Sequence, residues 1–393
     1  MNIRTLPKAL AALGAIVVTV TASLMATGAG ATSDSNAAPV ARSASPPTFW
    51  PSRLLPADAG PVSAFAFDPR NPNIVYAGTV PGYNQGRVYK STDAGGRWKL
   101  ISGPGWSWLG ALTSDPKHPA TLYASTSTGI HKRTDGGRTW QAFSRGLLPP
   151  SGIAEGEGWG RLAVDPNNSN IIYSGLGGGV HKSVDAGHSW QTVLLSGKTG
   201  RRLTLVTATR PTTIYAAFFI QNTSLPPYTP ILALESSTDG AKTWQRTRLH
   251  VALKRNDPYG IYDVAADPGS PTTLYAAVQA RIFMSTDAGR RWRSIGQGLP
   301  QNSDVASLAA GAGTLYAAVY GKNGIYQTTD AGKSWTRSWP PTETAPGLGV
   351  SIVAIDPARP TTVYASAYYP SGRATGTHIL RSTDSGHTWT VAG

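Results

Sequence analysis

The chain has 393 residues, among them 44 Gly, 30 Pro and no Cys, and a formal net charge of +14. The lack of Cys excludes disulfides, thiolate catalysis, Cys-bound metals and a lipidated N-terminal Cys, and a 40% hydrophobic fraction excludes a disordered chain. Abundant Gly and Pro with only 14% charged residues suits many short strands joined by tight turns, and the positive balance favours an anionic partner such as acidic polysaccharide or cell wall.

Residues 1–31 read as a secretory signal. Arg4 and Lys8 form the positive region, residues 10–25 are apolar, and Ala29-Gly30-Ala31 is a small-residue cleavage site. Cleavage would leave a secreted, extracellular protein with no membrane span. Residues 32–47, rich in Ala, Ser and Pro, are expected to be a disordered leader, and 48–393 the folded domain.

From residue 62 onward one unit repeats. An apolar segment meets an Asp-Pro turn, as in DPRNPNIVYA (68–77), and a second segment ends in Tyr-Ala. A third segment runs into an octapeptide, STDAGGRW (91–98), and a short fourth segment follows. In blade one these strands A to D are expected at 62–67, 74–79, 87–91 and 97–101. The octapeptide recurs as RTDGGRTW (133–140), SVDAGHSW (183–190), STDGAKTW (237–244), STDAGRRW (285–292), TTDAGKSW (328–335) and STDSGHTW (382–389), with final Trps 42–54 residues apart. Such spacing is the range of propeller blades. The fold expected is all-β: a single seven-bladed β-propeller of four-stranded antiparallel blades, with residues 48–55 able to add an edge strand to the last blade. Two copies of the Asp-Pro turn are degraded, ATRPTTIYA (208–216) and AGAGTLYA (311–317).

The octapeptide chemistry is structural. Its carboxylates, Asp93, Asp135, Asp185, Asp239, Asp287, Asp330 and Asp384, can accept backbone N–H bonds across the C–D turn. The fifth-position Gly permits a positive φ, and the Trp can wedge between blades. In the fourth copy Ala241 stands where Gly is expected and Gly240 precedes it, which suggests a shifted turn.

These repeats resemble the Asp-box (BNR) repeats of sialidases, xyloglucan-hydrolysing propellers, sortilin-type receptors and photosystem assembly factors, over residues 62–391. The resemblance implies the fold but leaves function open, because the family does unrelated jobs on one scaffold. The Arg-Ile-Pro motif of sialidases is absent. The xyloglucan hydrolases resemble this chain more closely in their repeat text, yet they pair two propellers, and where their Asp follows a Tyr-Ala strand end this chain has Thr79-Val80-Pro81-Gly82.

Strand connectivity puts the A–B and C–D turns on one face and the B–C and D–A loops on the other, where ligands of such propellers usually bind. Of 21 acidic residues, eight lie outside the turns and the leader: Asp58, Glu155, Glu157, Glu235, Asp257, Asp263, Asp304 and Glu343. Asp263 stands four residues before its turn Asp, near the start of inner strand A of blade five, and Arg161 holds that position in blade three. A carboxylate pair at this mouth, Asp263 with Glu155 or Glu157, would be the catalytic candidate. Arg161 would orient an acidic sugar or depress a neighbouring carboxylate, and Trp106, Trp108, Trp159, Asp257 and Tyr259 would complete the binding surface. His131 and His181 share a repeat column with Tyr89, Phe283 and Leu380 and read as packing. No metal or cofactor is expected. Two readings remain: a non-catalytic propeller that binds a carbohydrate or a cell-surface protein as a monomer, with nucleic acid not expected, or a glycoside hydrolase or polysaccharide lyase acting on a cell-wall or plant polysaccharide.

Overall fold

A computed structural model describes residues 55–56, 59–80, 86–101, 106, 108–134, 139–147, 161–176, 179–195, 201–208, 213–220, 231–249, 263–278, 280–300, 304–320, 324–340, 349–368 and 377–392. The strands, in chain order, group into seven four-stranded antiparallel sheets. Blade one is β1 (Val62–Phe67), β2 (Val75–Thr79), β3 (Arg87–Ser91) and β4 (Lys99–Leu100); blade two is β5 (Leu109–Ser114), β6 (Leu122–Thr126), β7 (Gly129–Arg133) and β8 (Gln141–Ala142). Blade three is β9 (Arg161–Val164), β10 (Ile172–Leu176), β11 (Gly179–Ser183) and β12 (Gln191–Leu195); blade four is β13 (Arg201–Ala208), β14 (Ile214–Ile220), β15 (Ile231–Ser237) and β16 (Gln245–Arg248). Blade five is β17 (Asp263–Asp267), β18 (Ser270–Val278), β19 (Arg281–Ser285) and β20 (Arg293–Ser294); blade six is β21 (Val305–Gly311), β22 (Thr314–Val319), β23 (Gly324–Thr328) and β24 (Thr336–Trp339). Blade seven is β25 (Gly349–Asp356), β26 (Arg359–Tyr368), β27 (Thr377–Ser382) and β28 (Thr390–Val391).

The inner strands β1, β5, β9, β13, β17, β21 and β25 each neighbour the next, and β25 returns to β1, so the sheets close into a propeller. At the seam Ser351 Oγ donates to Val62 O at 3.1 Å and Tyr364 OH to Ala94 O at 3.1 Å. Leu55 and Ala59 are buried there against Tyr364, Ile379 and Ala392. The edge strand expected over residues 48–55 falls almost wholly outside the described residues.

The octapeptide turns explain why strand D is short. In blade one Ser91 Oγ donates to Asp93 Oδ1 (2.8 Å), Gly95 N–H donates to Ser91 Oγ (2.8 Å), and Arg97 N–H donates to Asp93 Oδ1 (2.8 Å). Arg97 is thus spent in the turn, and β4 begins at Lys99 rather than at 97. Two consecutive residues take a left-handed conformation, Ala94 at φ 58° and Gly95 at φ 98°. The fourth copy corrects the expectation of a shifted turn. Gly240 (φ 75°) and Ala241 (φ 70°) exchange the two side chains while the backbone keeps the same pair of positive φ values. Ala241 N–H still donates to Ser237 Oγ at 2.9 Å. The A–B turns with Asp-Pro are Asx turns: Asp68 Oδ1 accepts from Arg70 N–H (2.9 Å) and Asn71 N–H (3.0 Å). Blade six, which lost its Asp-Pro, turns instead through Ala312 (φ 52°) and Gly313 (φ 75°), a type I′ hairpin.

Two side chains per blade hold neighbours together. The Tyr of the Tyr-Ala strand is the most deeply buried large residue: Tyr76, Tyr123, Tyr173, Tyr215, Tyr316 and Tyr364 are at most 2% exposed. Tyr123 OH donates to Ala186 O of the next blade's turn (3.3 Å), and Lys132 Nζ, over the Tyr123 ring, donates to the same carbonyl (3.0 Å). The turn Trp works in the opposite direction. Trp140, Trp190, Trp244 and Trp335 donate indole N–H to Ile101 O, Phe143 O, Val193 O and Ile295 O of the preceding blade, at 3.2, 2.7, 3.3 and 2.6 Å. The interface of blades two and three is therefore stitched from both sides, whereas Tyr173 OH and the Trp98 indole N–H are buried without a partner.

Candidate functional site

Five inner strands carry a bulge near their start, where one extra residue (Ser63, Gly110, Thr204, Ala306 or Ser351) has no partner on strand B. The bulged serines link blades. Ser63 Oγ donates to Leu109 O at 3.2 Å, as Ser351 does to Val62. Blades three and five have no such bulge within their described strands, which begin with the charged residues Arg161 and Asp263. The ladders place both in one column, paired with Gly175 and Ala277. In the other blades that position is Ala64, Ala111, Leu205, Ser307 and Ile352.

Arg161 and Asp263 meet. Arg161 Nη2 donates to Asp263 Oδ1 at 3.0 Å, with side chains 19% and 3% exposed. Blade four lies between blades three and five, so this bond crosses the channel side of β13. Asp263 Oδ1 also accepts from Val264 N–H (2.9 Å), and Oδ2 accepts from Leu308 N–H of blade six (2.9 Å). One carboxylate thereby joins the inner strands of three blades. Burial is the largest influence on Asp263 and raises its carboxyl above the usual range, while Arg161, the two N–H donors and the Ser307 hydroxyl pull it down. Burial lowers Arg161 too, from a value so high that the guanidinium stays charged.

The remaining expected residues fall into two groups. Trp106 is 5% exposed and packs edge-on against Trp140 (5.2 Å) and at a 48° tilt against His131 (5.1 Å). Trp108 is half-buried and packs on the same cluster. His131 bonds Thr128 Oγ1 at 2.8 Å, and burial lowers its pKa. His181 is 1% exposed and bonds Thr192 Oγ1 at 3.1 Å. Glu235 does not reach the loop face: it is buried in β15 and accepts two bonds from Arg246, at 3.0 and 2.9 Å. Glu155, Glu157, Trp159, Asp257, Tyr259 and the turn carboxylate Asp135 lie outside the described residues. Tyr320, 39% exposed at the B–C end of β22, sits beside buried Tyr368 at the corresponding end of blade seven. It presents an aromatic ring on the same face as the Arg161–Asp263 pair. Among the described residues no cluster of three or more His, Asp or Glu could hold a metal, and no helix is long and apolar enough to cross a membrane.

No family model matches the chain. Among curated proteins it is similar to the oligoxyloglucan-reducing end-specific xyloglucanase of Neosartorya fischeri, 31% identical over 160 residues (39% of this chain, 18% of the relative). The enzyme of the same name from Emericella nidulans is 28% identical over 159 residues, covering 39% of this chain and 18% of the relative. A xyloglucanase of Hypocrea jecorina is 37% identical over 81 residues, 19% of this chain and 10% of the relative. The matched stretch is thus under a fifth of each relative. Among solved structures, the GH74 xyloglucanase of Xanthomonas campestris aligns with a TM-score of 0.50 at 15% identity, covering 86% of this chain and 73% of that one. YCF48 of Cyanidioschyzon merolae aligns at 0.57 and 14% identity (84% and 96%), and YCF48 bound to a D1 peptide at 0.58 and 12% (87% and 96%). The chain is a seven-bladed β-propeller similar in fold to GH74 xyloglucanases and YCF48, with xyloglucanases among its distant sequence relatives.

Proposed function

We propose that this chain is an exported Asp-box propeller of glycoside-hydrolase type that engages a cell-wall or plant polysaccharide on its D–A loop face. The observation that carries the reading is the sequence match to three xyloglucanases, which reaches 31% identity over 160 residues. The loop face supports it by presenting Tyr320 as an exposed ring and a charged pair at the channel mouth. In this reading Glu155 and Glu157 supply the acid–base chemistry. Asp263, held by Arg161 and two backbone N–H groups, is a positioning residue rather than a proton donor to substrate. That same engagement favours a second reading, a propeller that binds glycan without turnover, because the carboxylate best placed at the mouth is already committed. Residues 1–31 would direct export to where such polysaccharides lie.

The test is affinity electrophoresis and reducing-end release on xyloglucan and a panel of β-glucans. The expected outcome is retardation by xyloglucan, weakened by Tyr320→Ala, with any release abolished by Glu155→Gln or Glu157→Gln. Retardation without release selects the binder. Neither retardation nor release on any member of the panel refutes a polysaccharide-directed function.

A further inference from the structure

The C–D turn of blade five gives up a bond that other turns keep. At the seventh position of the octapeptide, Ser189, Thr243, Ser334 and Thr388 donate a hydroxyl to the second oxygen of the turn Asp, at 2.5, 2.6, 2.6 and 2.6 Å. Blade five has Arg291 there. Its Nε lies 3.5 Å from Asp287 Oδ2, with the side chain 94% exposed. An ion pair that open to water contributes little to stability. Nor does the turn need an Arg for its backbone bond, since the N–H that donates to Asp287 Oδ1 at 2.8 Å is one that other residues supply equally well. The fold is therefore no reason for a guanidinium at this position.

What distinguishes this turn is charge. Blade five runs Arg290-Arg291-Trp292-Arg293, with all three arginines exposed, where blade three has His188-Ser189-Trp190-Gln191 and blade seven has His387-Thr388-Trp389-Thr390. Arg293 Nη2 donates to Ala331 O of blade six at 3.0 Å, two residues before the exposed Lys333. Blade four places exposed Lys242 in the column of Arg290 and Lys333. The carboxylates of these three turns, Asp239, Asp287 and Asp330, each accept backbone N–H bonds within their own turn. Successive blades thus carry an arc of exposed cations on the turn face. One exposed ion pair is weak, so such an arc is poorly suited to a small anion. A chain with a charge on every unit meets several cations at once and releases its counterions, so that weak contacts add up. A guanidinium also meets a planar carboxylate with two parallel bonds.

We infer that the turn face of blades four to six is a docking surface for an acidic polysaccharide, a chain of uronic-acid units laid across Arg290, Arg291, Arg293, Lys242 and Lys333. The net charge of +14 adds long-range attraction to such a chain. The choice of a polysaccharide over another polyanion rests on the polysaccharide-directed reading above, whereas the position of the surface rests on the arginines alone. The turn face is opposite the loop face, so this contact leaves the loop face open to its own ligand.

The experiment is biolayer interferometry of the full chain on immobilised polygalacturonate at low and at raised salt, with polyuridylate as the phosphodiester counterpart. Polygalacturonate is expected to bind at low salt and to be released as salt rises. Arg290→Gln/Arg291→Gln, which spares the Arg293–Ala331 bond between blades, weakens that binding by about fivefold or more and flattens its salt dependence. Arg97→Gln/Lys99→Gln, an equal charge change at the exposed C–D turn of blade one, leaves it nearly unchanged. An equal loss in that control overturns the inference, because net charge then explains the effect, and so does a lack of binding at low salt. Polyuridylate bound as tightly as polygalacturonate overturns it as well. If neutral xyloglucan is retarded while polygalacturonate does not bind, the docking surface falls and the loop-face reading stands. If polygalacturonate is held through Arg290 and Arg291 while no neutral glucan is retarded, the docking surface stands and the loop-face reading falls.

Discussion

The same Gly/Ala exchange at turn position five is expected to have three different outcomes in three blades. In blade four the native residue is Ala241, held at φ 70°. A left-handed conformation costs an L-residue about 1–2 kcal/mol, and the extra freedom that glycine brings to the unfolded chain offsets about 0.4–1 kcal/mol of the relief. Ala241→Gly therefore stabilises by about 0.5–1 kcal/mol. In blade three a Cβ added to Gly187 would meet Phe143 and Tyr123 at 3.6 Å, ordinary contact. Gly187→Ala pays only the conformational term and loses about 1 kcal/mol. In blade six a Cβ on Gly332 would lie 2.4 Å from Ile295 Cβ and 3.0 Å from Ile295 O. That oxygen is the acceptor of the Trp335 indole N–H, so it cannot retreat freely. Overpacking of about 1–3 kcal/mol adds to the φ term, and Gly332→Ala loses about 3 kcal/mol in all. Urea unfolding followed by tryptophan fluorescence gives the three midpoints. Equal losses for Gly187→Ala and Gly332→Ala, or a loss for Ala241→Gly, would refute the argument from φ and contact distance.

Trp335→Ala removes a 9% exposed ring and its 2.6 Å bond to the preceding blade and should cost about 3–5 kcal/mol. Trp292→Ala, whose indole bonds Gly289 of its own turn at 2.9 Å, should cost less, and thermal melts rank the two. The turn carboxylates predict acid lability. Hydroxyl bonds from Ser189 and Thr388 lead the effects that hold Asp185 and Asp384 at about 2, down from 3.8. A folded-state pKa below the unfolded one contributes stability above the unfolded value and loses it as pH falls through the folded one. Urea midpoints should therefore drop between about pH 4 and pH 2, and Ser189→Ala, which raises the folded pKa of Asp185 toward its unfolded value, should shrink that drop; a midpoint flat across that window contradicts the assignment. For the channel strut, Arg161→Met leaves a buried carboxylate without its counter-charge and should cost about 3–5 kcal/mol. Adding Asp263→Asn to that variant should recover part of the loss, whereas strictly additive costs would mean that the two residues do not act as a pair.

The ring was legible because its signals are local. A Ser or Thr two residues before an Asp, with two turn residues able to take positive φ, specifies the C–D turn wherever it stands, and Asp-Pro specifies the A–B turn. Six copies of that Ser/Thr–Asp pair, a seventh octapeptide in which Arg133 takes the hydroxyl's place, and five Asp-Pro turns count the blades without any long-range information. Local signals also set the limit. Gly240-Ala241 read as a displaced turn because residue types were matched by position, whereas the backbone only requires two adjacent left-handed residues. The Tyr of the Tyr-Ala strand read as a strand ending, yet its buried ring and hydroxyl hold the next blade's turn, a contact made 63 residues along the chain in the case of Tyr123 and Ala186.

The candidate site was half legible for the same reason. Alignment of the repeats set Arg161 and Asp263 apart as charged residues in an otherwise uncharged column, because a period assigns each residue to a blade and a depth. It does not say how far a side chain reaches around the ring. The expected pairing of Asp263 with Glu155 or Glu157 looks to loop residues that lie outside the described ones. The partner found is 102 residues away, in the equivalent position two blades back. A long, rigid-ended Arg can cross the channel side of one intervening strand, and a short Asp can be held still by N–H groups from its own strand and from the next blade. The pair therefore needs no loop residue to exist. That makes it a fixed feature of the ring, to which whatever binds at the mouth must conform.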